Sequence, residues 1–157
     1  MKRNKIFFCL AISTFLLLSI GGTQNCDSAE SDKLPIFTSE YFNSKDDNLF
    51  SYPIIRPFWT PTQHIAKNAL IKARDYIALN HKNIIERFDS YKFQYAGISY
   101  GNKKVVAINA FCRQFWFATD IWTREFVEAN DGGACFFRAY YDVELNSIVK
   151  LEINGQS

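Results

Sequence analysis

The sequence predicts an α+β domain, with one N-terminal helix packed across one face of an antiparallel four- or five-stranded meander. Three observations lead there. Apolar residues recur at spacings of three and four from Ala66 to Ile77. The pattern changes to alternation after Asp89, and Gly101-Asn102 then makes a two-residue turn between two alternating runs. At 157 residues the chain has room for one ordinary domain, expected at 60–157, once a leader at 1–22 and an irregular arm at 23–59 are set apart.

The leader has the layout of a secretory signal peptide. Lys2, Arg3 and Lys5 form a basic start, the stretch 6–20 is apolar apart from Ser and Thr, and small and polar residues follow. The apolar run is shorter than the roughly 20 residues that span a bilayer, although an uncleaved anchor is the alternative. Ser19 and Gly21 suit a signal peptidase cutting near Gly21 or Gly22, which leaves an exported periplasmic or extracellular protein. Cys26 offers a second reading, as the acylated first residue of a bacterial lipoprotein, but the preceding TQN lacks the aliphatic and small residues of such a site. A membrane is therefore expected as a partner only if Cys26 is acylated or the leader stays uncleaved.

Export alters the charge argument. The chain carries 18 basic and 16 acidic residues, and removing Lys2, Arg3 and Lys5 leaves 15 against 16, a net charge of −1. A near-neutral protein has no global field to gather nucleic acid or anionic lipid, and there is no basic run of five or more. Nucleic acid is not an expected partner.

The arm contains Pro35, Pro53 and Pro57 and the cluster NSKDDN, which disfavour a long regular element. Its Phe, Tyr and Ile residues distinguish it from a free linker, so it is expected to lie against the domain, with a short strand within 52–56. The helix comes next. Thr60 at the N-cap, Pro61 at the first helical position and Gln63 three residues after the cap mark its start. Ala66, Ala69, Leu70, Ala73, Tyr76 and Ile77 form its inner stripe, and the helix is expected over 61–79, with 80–83 ending or bending it and 84–88 a candidate for one more turn.

In the first hairpin, Tyr100 and Lys103 flank the turn. Tyr95 then lies opposite Ile108, Gly97 opposite Val106 and Tyr91 opposite Cys112, which puts Cys112 on the aromatic, buried face. A connection at 113–120 leads to a third strand expected at 121–129. Asp131-Gly132-Gly133 turns the chain into a strand at 134–143, and a last strand follows at 148–153.

The series QYAG, a GN turn, INAFC, DGGACFF and LEING resembles small uncharacterised exported bacterial proteins in which an N-x-F-C segment precedes DGG-x-C-aromatic. The resemblance covers roughly 60–155 and implies export and a structured domain, with no reaction attached. The order of elements is also similar to cystatin-like folds, but their Gln-x-Val-x-Gly loop is absent: Gln94-Tyr95-Ala96-Gly97 has another spacing and lies inside a strand.

Cys112 and Cys135 admit two readings. One is a nucleophile working with a His base, His64 or His81; the other is a disulfide that constrains the unfolded chain by about 3 kcal/mol. The disulfide is preferred, because a reactive thiol needs an electropositive, accessible setting and the compartment is oxidising. Asp131-Gly132-Gly133 lacks the Lys and the following helix of a phosphate loop and the carboxylate spacing of a calcium loop. There is no His-x-x-x-His, His-x-x-Glu-His or Cys-x-x-Cys spacing, so neither metal nor cofactor is expected. Asp120, Glu125, Glu128 and Asp131 are candidates for a carboxylate pair only by lying near the aromatic segment. Phe115, Trp116, Phe117 and Trp122, beside Arg113, Gln114 and Arg124, are adjacent aromatics that cannot all point inward. They are the candidate binding platform for a protein, peptide or glycan.

The expected function is non-catalytic binding in the envelope or outside the cell. The alternatives are a small secreted hydrolase using Cys/His or a carboxylate pair, and an inhibitor or immunity-type protein that binds another secreted protein.

Overall fold

A computed structural model describes residues 33–44, 50, 57–112, 120–129 and 132–155, all within the unit Asp32–Ser157. The leader, Cys26, the strand expected within 52–56, Phe115, Trp116, Phe117 and Asp131 lie outside the described residues. In chain order the elements are β1 (Ile36–Phe37), α1 (Ser39–Asn43), α2 (Gln63–Asn80), α3 (Lys82–Ile85), β2 (Tyr91–Tyr100), β3 (Lys103–Cys112), β4 (Phe136–Asp142) and β5 (Ser147–Ile153). The strands form one sheet in the order β1-β2-β3-β4-β5.

The α+β class holds, with two corrections to the expected layout. The main helix α2 is mid-chain, because β1 and α1 precede it. The sheet is not a pure meander either: β2 to β5 are antiparallel, but β1 joins the edge of β2 in parallel, pairing Ile36 with Tyr95 and Phe37 with Ala96. A two-residue strand has no hydrophobic period to read, and only the neighbouring edge makes it a strand.

α2 begins two residues later than its capping pattern suggests. Thr62 is the N-cap, its hydroxyl accepting from the Ile65 N–H at 3.3 Å. The Thr60 hydroxyl instead accepts from the Ser39 N–H at 3.0 Å, so the arm has taken the first cap candidate. Ala66, Ala69, Ala73 and Ile77 are the buried face of α2, and the three alanines let it lie close on Tyr95, Val106, Ile108 and Ala139.

The first hairpin has the expected register, with Tyr91 opposite Cys112, Tyr95 opposite Ile108 and Gly97 opposite Val106. Gly101, at φ 59°, supplies the positive φ of its turn.

The third strand expected at 121–129 is absent. Asp120–Thr123 is instead a 3-10 turn, followed by irregular backbone. The reason is that side chains of β2 and β3 hydrogen-bond this segment where a neighbouring strand otherwise would. Gln94 Nε2 donates to the carbonyls of Trp122 and Glu125, Gln94 Oε1 accepts from the Val127 N–H at 2.9 Å, and Asn109 Nδ2 donates to the Val127 carbonyl at 2.8 Å. The glycines after it have positive φ as expected, Gly132 at 102° and Gly133 at 55°, but they lead into a 3-10 turn at Gly133–Cys135 and not a hairpin.

Both sheet faces are covered. α2 covers one, and the arm covers the other: Phe37, Phe42, Phe50 and Phe58 pack with Phe126 on Ala96, Ile98, Val105, Ala107 and Tyr140. Phe42 stacks on Phe58 with ring centroids 5.2 Å apart and meets Phe126 edge to face at 5.3 Å. Phe37, Phe42, Phe50 and Phe58, four of the residues that distinguish the arm from a linker, are thus core residues.

Candidate functional site

Cys112, the last residue of β3, is bonded to Cys135 in the 3-10 turn before β4, with Cα atoms 4.9 Å apart. Each strand end brings one sulfur to the aromatic face, where Tyr91 and Phe137 pack beside them. The Tyr91 hydroxyl donates to the Ala134 carbonyl, tying the same turn to β2. Neither sulfur is a free thiolate in this state, so this pair offers no thiolate to a His base. His64 is exposed on the first turn of α2, and His81 is at its C-cap with its ring 6.4 Å from Tyr76.

Of the aromatic platform, Trp122 is the one described residue. It is half-buried, meets Phe111 edge to face at 6.1 Å, and has the Lys92 ammonium 5.1 Å from its ring centroid. Gln94 sits beneath, fully buried, in a polar row running straight across the sheet: Gln94 pairs with Asn109, Asn109 with Arg138, and Arg138 with Glu152. Arg138 spreads over the Phe50 ring at 4.9 Å and the Phe126 ring at 5.7 Å. This row joins the arm, the 120–129 segment and the sheet, which is a fastening role. The carboxylates Asp120, Glu125 and Glu128 are exposed, and Glu125 enters the network by its backbone carbonyl. Among the described residues no three His, Cys, Asp or Glu side chains are grouped to hold a metal. No described helix is long and apolar enough to cross a membrane.

An open concavity lies on the other side of the sheet. Leu70, Ile71 and Arg74 of α2, Phe88 and Asp89 of the 3-10 turn Phe88–Ser90, and Phe93 of β2 line a groove of about 320 Å³. Phe88 and Phe93 form its floor with ring centroids 5.1 Å apart. Arg74 and Asp89 form its rim: the guanidinium lies 3.8 Å from the carboxylate and 5.7 Å from the Phe88 centroid, and both side chains are mostly exposed. An exposed pair of this kind contributes little to stability, so both charges can be re-paired without loss of the fold. Ile71 is 59% exposed and presents its side chain to solvent at the groove edge.

These groove residues are not among the sites expected from sequence. One signal exists, since Ile71 is an apolar residue outside the Ala66, Ala69, Ala73, Ile77 stripe and so faces away from the helix's own core. Phe88 and Phe93 carry no such mark, because aromatic residues near a strand start are ordinary core candidates.

Comparison with known protein families, with curated proteins and with solved structures gives no match for this chain.

Proposed function

We propose that this protein is exported and acts by binding a partner outside the cytoplasm, without catalysing a reaction. The observation that carries this reading is the groove beside α2, an apolar floor with a re-pairable charged rim and an exposed Ile71. The leader layout and the Cys112–Cys135 disulfide support export, since such bonds persist in oxidising compartments. The same disulfide ties up Cys112 and Cys135, the two cysteines on which the Cys/His reading rests. An inhibitor or immunity-type protein is one form of this proposal, in which the partner is another secreted protein.

The test is capture from the envelope and medium of the source organism, with the mature protein and an Ile71→Glu variant immobilised in parallel. A stoichiometric partner held by the first and lost from the second supports the reading. Equal capture by both, or no specific capture, overturns it. The platform formed by Phe115, Trp116, Phe117 and Trp122 is the second proposed surface, favoured by the half-buried Trp122 indole under Lys92. Its test is loss of capture in Trp116→Ala and Trp122→Ala with Ile71 intact.

A further inference from the structure

Among the described residues, strand pairing covers the outer edge of β2 over only part of its length. β1 pairs with Tyr95 and Ala96, and an isolated bridge joins Trp59 to Gly97. Among the described residues no strand pairs with the outer edge at Tyr91, Lys92 or Phe93.

The cause is local and chemical. Tyr95 donates its N–H outward to the Pro35 carbonyl, and Gly97 accepts outward from the Trp59 N–H. Strand alternation therefore turns the backbone groups of Phe93 and Tyr91 outward as well. A continued parallel ladder would use the N–H of residue 35 to meet the Phe93 carbonyl, but residue 35 is proline and has none. One residue earlier the chain is diverted altogether: the Leu34 N–H donates to Gln63 Oε1, and the Leu34 carbonyl accepts from Gln63 Nε2, at the start of α2. Pro35 and Gln63 thus peel the arm off the sheet just where the groove begins. The Tyr91 N–H is spent on the Phe88 carbonyl, which leaves the Tyr91 carbonyl and both backbone groups of Phe93 facing outward.

Edge and groove are adjacent, because Phe93 belongs to both. A strand laid against Phe93 would place every second side chain on the α2 side, over Phe88, Phe93, Leu70 and Ile71. Resting on the binding role proposed above, we propose that this site takes an extended peptide segment of a partner protein, which continues the line of β1 along β2 and seats one large apolar side chain in the groove. The parallel seat of β1 shows that this edge accepts an added strand. With the leader removed, as the proposed export requires, the segment left before Lys33, TQNCDSAESD, has no large apolar side chain to fill the groove, which points to a partner and away from that segment.

The test selects displayed random heptapeptides on the mature, disulfide-intact protein, and the best peptide is synthesised with a single N-methyl group at each position in turn. The expected result is a large apolar residue in every enriched peptide. Affinity should fall by about tenfold or more in Ile71→Glu, at unchanged melting temperature, and by a similar factor for methylation at alternate amides only. Loss in Ile71→Glu with no sensitivity to methylation overturns strand pairing and leaves the groove as a binding site. Enriched peptides indifferent to Ile71→Glu, or no enrichment at all, overturn the peptide assignment, while the capture experiment decides the binding role by itself. A dimer that dissociates in Ile71→Glu overturns the proposal in favour of a second copy of this chain.

Discussion

Replacing Gln94 by Leu should cost about 2–4 kcal/mol. Gln94 is fully buried and uses both ends of its amide: two donated bonds go to the Trp122 and Glu125 carbonyls, and two are accepted, from the Val127 N–H and from Asn109 Nδ2 at 2.9 Å. Leu has nearly the same volume, so the cavity term is small and the added apolar burial returns about 1 kcal/mol. The carbonyls of the half-buried Trp122 and the exposed Glu125 can turn to water, at about 1 kcal/mol each. The buried Val127 N–H and Asn109 Nδ2 have no such recourse and together lose about 1–3 kcal/mol. Urea unfolding with the disulfide intact measures the difference, and near-UV circular dichroism reports whether the Trp122 environment loosens. A Gln94→Glu variant keeps the acceptors but removes both donors and buries a charge, so it should fall further. A loss below about 1 kcal/mol for Gln94→Leu, with an unchanged near-UV spectrum, would refute the view that this side chain stands in for a missing strand.

Three further outcomes follow from the same structure. Reduction, or a Cys112→Ala/Cys135→Ala double variant, should lower stability by about 3 kcal/mol and the melting temperature by roughly 10 °C; an unchanged melt counts against the bridge. Gly97→Ala should cost about 2–3 kcal/mol in urea unfolding, because its Cβ would run into the Trp59 carbonyl oxygen and lie 2.8 Å from the Trp59 indole. A melt equal to that of the parent would show that Trp59 does not close over β2. Burial raises the phenol of Tyr95 above its ordinary value, and burial also raises Tyr91, partly opposed by Arg87. Groups raised by folding contribute stability that is present below about pH 10 and lost as pH rises through their folded values. Absorbance at the phenolate band should therefore show a late step coincident with loss of circular dichroism, and complete titration of an intact fold would contradict the burial.

The first hairpin was legible residue by residue because both of its strands alternate and Gly101-Asn102 pins their register. The disulfide is expected from the oxidising compartment and the poor setting for a reactive thiol, and the register accounts for one half of it by placing Cys112 on the aromatic face. The misjudged segment at 121–129 shows where local pattern ends. Its Phe126 and Val127 are buried, as strand residues would be, but side chains 33 and 18 residues away in sequence satisfy the Val127 backbone. Nothing local to Val127 records that.

The groove is the same kind of case. Each lining residue has an ordinary local explanation, and the site exists only because α2 and the start of β2 converge while Pro35 and Gln63 lead the arm away. Sequence alone determined the α+β class, the helix face, the first hairpin and its register, because each depends on the periodicity or turn chemistry of a contiguous stretch. Tertiary structure alone decided the parallel β1, the arm as the second core layer, the fastening of 120–129 and the point at which the described strands stop pairing with the outer edge of β2. Each of these is a hydrogen bond or a packing contact between stretches far apart in the chain, and such a partner is named by its position in space, not by the residues on either side.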